Sequence, residues 1–137
     1  MKKIILDTNI LISFLTDRNL AQQEKAEEIF SQAASLRTKI LCQQEVISEF
    51  IYVMNSVYQV GKSEIRSMLL DFANMPGIEI VAELDLELVS QLWPTQISDY
   101  GDAVIASLCI KTRASAVATF DRKFSKELTA VGLAVVE

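Results

Sequence analysis

Four acids stand where a side chain could do chemistry. Asp7 interrupts the apolar run Ile4-Ile5-Leu6-Asp7-Thr8-Asn9-Ile10-Leu11-Ile12, which reads as a buried strand that stops at the acid and resumes as a helix. Asp121 repeats that arrangement after Ala116-Val117-Ala118-Thr119. Asp102 opens a stretch, residues 103–110, that is apolar almost all round and so belongs to a helix enclosed on every side. Glu49 lies on a helix whose inner face is set by Val46, Ile47, Phe50, Val53, Met54 and Val57. At about 100° per residue it falls at the margin of that arc, with Glu45 turned further toward solvent. Each acid alone has a local explanation. Asp7 and Asp121 can be N-caps, Asp99 with Asp102 a cap and third-position pair, and Glu49 a salt-bridged boundary residue.

The elements that must position these acids follow from the periodicity. Strand-like runs occupy residues 4–6, 39–42, 78–81, 116–119 and 134–136. Helical patterns fill 10–15, 20–36, 43–60 (ending at Gly61), 62–74 (with Ser63 as its cap), 84–92, 99–112 and 122–131. Trp93 reads as a packing residue. Strands that alternate with helices imply a mostly parallel sheet covered on both faces, because parallel strands need crossover connections. No repeat, linker or low-complexity segment divides the chain, so residues 1–137 are expected to form one compact α/β domain. Asp7 and Asp121 then end parallel strands and Asp102 opens a buried helix, which brings the acids to one end of the sheet, where open α/β sheets bind their ligands. Carboxylates gathered there repel and raise one another's pKa. A divalent cation resolves the conflict, and oxygen-only ligands suit Mg²⁺ or Mn²⁺ rather than zinc.

Composition narrows the chemistry further. The chain contains no histidine, which removes Ser-His-Asp and Cys-His nucleophilic schemes, His-ligated zinc and imidazole acid–base catalysis. Cys42 and Cys109 lie in apolar surroundings without metal-ligand spacing and read as reduced buried thiols. The net charge of -5 argues against a surface that grips nucleic acid through many phosphate contacts. Residues 67–110 carry no Lys or Arg but seven acids, while Lys111, Arg113, Arg122, Lys123 and Lys126 gather after them and could form a phosphate-facing rim or a solvated helix face. No apolar run approaches the roughly 18 residues of a membrane span, and Met1-Lys2-Lys3 leads straight into a strand-like run, so a cytoplasmic location is expected.

The ordered set Ile4-Ile5-Leu6-Asp7-Thr8-Asn9, helical Glu49, Asp102-Ala103-Val104-Ile105-Ala106 and Thr119-Phe120-Asp121 resembles the four motif regions of PIN-domain nucleases, and most nearly the VapC-type toxins of bacterial toxin–antitoxin pairs. The resemblance covers essentially the whole chain. It implies that Asp7, Glu49, Asp102 and Asp121 bind metal, that Asn9 and Thr119 support that cluster, and that the activity is Mg²⁺- or Mn²⁺-dependent hydrolysis of RNA phosphodiester bonds. It also implies a homodimer and an antitoxin whose basic or aromatic segment enters the acidic cleft. Two other readings are open. A haloacid-dehalogenase-like phosphohydrolase would use an Asp after the first strand as nucleophile, but wants a second Asp where this chain has Asn9. A non-catalytic binding module would use the acidic cleft only to receive a partner.

Overall fold

Strands β1 (Lys2–Leu6) and β4 (Ser115–Ala118) form because their residues are apolar on both faces. In β1, Ile4, Ile5 and Leu6 are all buried, as are Ala116, Val117 and Ala118 of β4. Such continuous burial marks strands of a parallel sheet covered by helices on both sides. Each large aliphatic side chain so enclosed contributes roughly 1.5–3 kcal/mol. The computed structural model describes residues 1–136, and its four strands, with β2 (Thr38–Gln43) and β3 (Ile78–Val81), pair in the order β3-β2-β1-β4, all parallel. The register sets Ile5 beside both Leu41 and Val117, and Cys42 beside Ile80.

The chain moves outward from β1 to β2 and β3, then returns past β1 to place β4 on the other side. With right-handed crossovers the two directions of travel send helices to opposite faces. The reversal therefore falls between β1 and β4, and the crevice outside their carboxyl ends is the topological switch point. Helices α1 (Thr8–Leu15) and α2 (Leu20–Ala34) join β1 to β2. They are fastened by Phe14 stacked on Phe30 with ring centres 3.8 Å apart, and Phe30 in turn meets Phe72 edge-on. Next come α3 (Gln44–Tyr52) and α4 (Lys62–Ala73), then α5 (Leu86–Leu92) and α6 (Tyr100–Lys111), and last α7 (Arg122–Ala130). Consecutive positions Ala103 through Ser107 of α6 are buried, as their unbroken apolar run requires.

Four local expectations are corrected. The long helix over 43–60 is α3 followed by a π-helical turn, Val53–Val57, and the chain leaves it through Gln59 in the left-handed region (φ 56°). Ser63 is not the cap of α4; the helix starts at Lys62, so extended Gly61 occupies that position. The last strand is reduced to one bridge, Val135 beside Val117. Trp93 is 42% exposed rather than enclosed, with its ring edge-on to Tyr100. Cys42 and Cys109 are free and buried. No helix among the described residues is long and apolar enough to cross a membrane.

Candidate metal centre

Asp7 sits where the apolar strand must release its chain into α1. Its backbone is extended, and Oδ1 accepts the Thr8 N–H at 2.7 Å, so it does cap the helix. Its other oxygen does something a cap does not need. Oδ2 accepts the Thr119 hydroxyl at 2.6 Å and the Asn9 side-chain amide at 3.2 Å. Asn9 Oδ1 accepts the Phe120 N–H at 3.1 Å, and Thr119 Oγ1 accepts the Asp121 N–H at 3.0 Å. Together with the Asp7 N–H bonded to the Ala118 carbonyl at 2.9 Å, these bonds lock the ends of β1 and β4 together. Asp7 is only 6% exposed. Burial raises its pKa, the bonds from Thr119 and Thr8 lower it, and Asp121 and Asp99 push it up; the net direction is upward.

The other acids converge on this corner. The Thr8 hydroxyl donates to Glu49 Oε2 at 3.1 Å, which ties α3 to the start of α1. Glu49 is raised by desolvation first, partly offset by Thr8, and further by the charges of Asp7, Asp99 and Glu45. Asp102, in the first turn of α6, is pushed up to about 8 by burial and then by Asp7, Asp99, Asp121 and Glu127, and no hydrogen bond offsets the rise. Asp121 caps α7, its Oδ1 accepting the Phe124 N–H at 3.1 Å, and it lies exposed at the mouth of the crevice. The charge of Asp7 thus bears on Glu49 and Asp102, and that of Asp121 on Asp7 and Asp102. Capping and clustering are not rivals here: Asp7 caps α1 through Oδ1 while feeling the charges of Asp121 and Asp99.

Three further acids belong to the neighbourhood. Asp99 caps α6 by accepting the Asp102 N–H at 3.0 Å, yet its charge also acts on Asp7, Glu49 and Asp102. Glu45, which periodicity turns away, bears on Glu49. A Cβ at Gly101 would lie 3.3 Å from Asp99 Oδ1 and 3.9 Å from both Glu45 Oε1 and Glu49 Oε2, so this glycine leaves open a cradle walled by carboxylates. Glu127, on α7, has no local sequence signal at all. The two ion pairs among the described residues, Lys39 with Glu79 at 2.6 Å and Lys111 with Asp85 at 3.2 Å, include none of the clustered acids. Lys111 pairs with Asp85 at the surface, away from the cluster.

The donors are hard oxygens, mutually repelling and without an internal cation, which is the chemistry that Mg²⁺ or Mn²⁺ takes. Among the described residues no three acids already stand in a closed coordinating group. A cavity of about 470 Å³ between α3, α4 and β3 is walled by apolar residues such as Ile47, Ile51, Ile65 and Phe72, with Lys62 and Arg66 beside them, and contains none of these acids.

The profile of the PIN domain matches residues 4–127. The chain belongs to the PIN-domain family. That span contains all four motif acids and every strand of the sheet except the first two residues of β1. Among solved structures, this PIN domain is similar to VapC20 of Mycobacterium tuberculosis, described as a sarcin-ricin loop cleaving toxin, at 15% identity and TM-score 0.70, covering 98% of each chain. It is also similar to VapBC2 from Rickettsia felis bound to a DNA fragment from its promoter (20% identity, TM-score 0.64, 98% and 97% covered). The PIN domain endonuclease Utp24 superposes with TM-score 0.53 at 16% identity, over 98% of this chain and 96% of that one. No curated protein sequence matches the chain. At these identities the structural likeness establishes the fold, the compact α/β PIN architecture expected from the sequence.

Proposed function

We propose that this PIN domain is a divalent-metal-dependent endoribonuclease that hydrolyses RNA phosphodiester bonds, and that it is the toxin of a toxin–antitoxin pair. The observation that carries the reading is Asp7. A carboxylate this deeply buried, held by Thr119 and Asn9, feels the charge of Asp121 and bears on Glu49 and Asp102, while among the described residues no cation pairs with any of the four. Asp7, Glu49 and Asp102 would hold Mg²⁺ or Mn²⁺, with Asp121 at the mouth. Such an ion supplies Lewis acidity toward water and toward a phosphoryl oxygen. The protein's own part is positional. Thr119 and Asn9 fix the Asp7 carboxylate, Thr8 fixes that of Glu49, and α6 delivers Asp102 from a buried helix that cannot drift.

Membership in the PIN family and the likeness to VapC20 and VapBC2 support nuclease and toxin roles. An antitoxin would enter the acidic crevice with a basic segment, an arrangement favoured by the unneutralised carboxylates and by the absence of Lys and Arg from residues 67–110. A homodimer in the cytoplasm completes the proposal. The dehalogenase-like alternative is weakened by Asn9, whose side chain is committed to Asp7 and Phe120.

The test incubates purified protein with a generic RNA and with a phosphomonoester, in Mg²⁺, in Mn²⁺ and in chelator. Metal-dependent RNA cleavage is expected, without phosphomonoester hydrolysis, and Asp7→Ala or Asp102→Ala should each reduce it by about 100-fold or more. Phosphomonoester turnover would favour the dehalogenase-like reading. Tight binding of a basic partner with no cleavage of any RNA would leave a binding module.

A further inference from the structure

Glu127 is out of place by local rules. It sits in the last turn of α7, where the helix dipole disfavours a negative charge, and its charge is among those bearing on Asp102. Its surroundings supply a reason for it. Oε2 accepts the Ser98 N–H at 3.1 Å, a contact spanning 29 residues, while Oε1 is shielded from water and has no partner. Helix α7 itself is fixed, because Phe124 and Leu128 are fully buried in the core.

Ser98 is held from its other side too. Its carbonyl accepts the Trp93 indole N–H at 3.2 Å, and the Trp93 ring lies edge-on to Tyr100 with centres 5.6 Å apart. The residue before it, Ile97, is fully buried, and the residue after it, Asp99, caps α6 and presents its charge to Asp7, Glu49 and Asp102. The short segment between α5 and α6 thus has both backbone polar groups of Ser98 held by side chains, the carbonyl by Trp93 at the start of the same segment and the N–H by Glu127 from α7. One step further along the chain are the acids of the first turn of α6.

We propose that Glu127 is a positioning residue for the metal centre: by holding Ser98 it fixes the entry into α6 so that Asp99 and Asp102 face Asp7, and Trp93, bonded to the same residue, senses the occupancy of that centre. This rests on the reading of the acid cluster as a divalent-cation site. Glu127 touches neither substrate nor ion. Its effect passes through one backbone hydrogen bond, the way residues behind metal ligands set their orientation. Trp93 is the only tryptophan of the chain, so its emission reads a single place.

The experiment uses the full chain, titrated with Mg²⁺ alone, and follows both Trp93 fluorescence and binding heat; melting in chelator is recorded in parallel. The wild type should show a saturable change in Trp93 emission whose midpoint matches the calorimetric one. Glu127→Ala should weaken Mg²⁺ binding by about 10-fold or more and shift the metal-free Trp93 spectrum. Glu127→Gln keeps an oxygen for the Ser98 N–H and should recover most of the affinity. Equal Mg²⁺ affinity in wild type and Glu127→Ala would overturn the proposal. Equal loss in both variants would also overturn it, since charge rather than the bond to Ser98 would then be at work. Should Glu127→Ala not fold, Glu127→Gln decides, because a loss of about 10-fold there has the same meaning. Calorimetry that detects no Mg²⁺ uptake by the wild type defeats the metal reading itself, an outcome distinct from binding that ignores Glu127.

Discussion

Asp102 carries the cost of the site when no cation offsets it. Burial first, and then Asp7, Asp99, Asp121 and Glu127, hold its carboxyl up to about 8, well above the ordinary carboxylate range. Between about pH 4 and that value the folded protein keeps a proton which the unfolded chain has already released. Stability of the metal-free protein therefore falls as pH rises through this window, and the contribution is gone above it. Glu49 and Asp7 are displaced in the same direction and add to the slope. In chelator, the melting temperature should drop between pH 5.5 and pH 8.5 for the wild type. Asp102→Asn should lose part of that slope and melt at or above the wild type at the alkaline end. It should also lose the rise in melting temperature that Mg²⁺ gives the wild type, since a ligand stabilises only the form that binds it. A wild-type protein that grows more stable with rising pH in chelator would contradict this account.

Two glycines at opposite ends of the elements separate folding from function. Gly77 leads into β3 in the left-handed region (φ 80°), and a Cβ there would stand 2.5 Å from the Ala33 carbonyl oxygen and 2.9 Å from its carbon. Those are backbone atoms that cannot swing away. Gly77→Ala should lower stability by about 2–4 kcal/mol in urea unfolding. Because it precedes β3, at the end of the parallel sheet away from the acids, Mg²⁺ affinity of the folded fraction should be unchanged. Gly101 is in the first turn of α6 in ordinary helical backbone, where alanine is the better helix former by up to about 1 kcal/mol. Its Cβ, however, would fill the space between Asp99, Glu45 and Glu49. Gly101→Ala should leave stability in chelator equal or slightly higher and reduce the thermal stabilisation by Mg²⁺. Unchanged Mg²⁺ response in Gly101→Ala would show that the cradle is not part of the centre.

At the scale of the molecule, the acid crevice and the apolar groove point to different partners. Ile51, Leu70 and Ile80 leave apolar surface exposed around the groove between α3, α4 and β3, the kind of surface that association with another chain covers. The crevice offers carboxylates. Self-association should appear as a homodimer mass in light scattering at micromolar protein and persist in 0.5 M salt, since burial of apolar surface is not screened. Inhibition by an arginine-containing antitoxin peptide should fade at that salt and with rising Mg²⁺, because the peptide and the cation compete for the same charges. A single-chain mass at every concentration would remove the homodimer, and inhibition indifferent to Mg²⁺ would move the antitoxin away from the crevice.

The sequence by itself determined the alternation of strands and helices, the burial of β1 and β4 and the places of Asp7, Asp102 and Asp121, because those depend on local patterns: an apolar run, an acid at its end, a helix apolar all round. Glu49 was singled out by helical periodicity, and Asn9 and Thr119 by the resemblance to the PIN family. Tertiary structure alone decided the strand order, and hence that β1 and β4 are neighbours and their acids share the switch point. It alone drew Asp99 and Glu45 into the cluster, since a cap and a solvent-side residue have no sequence mark of what lies across the gap. Glu127 was invisible for the same reason. Its partner Ser98 is 29 residues away, and nothing in the pattern of α7 encodes a bond made by a different part of the chain.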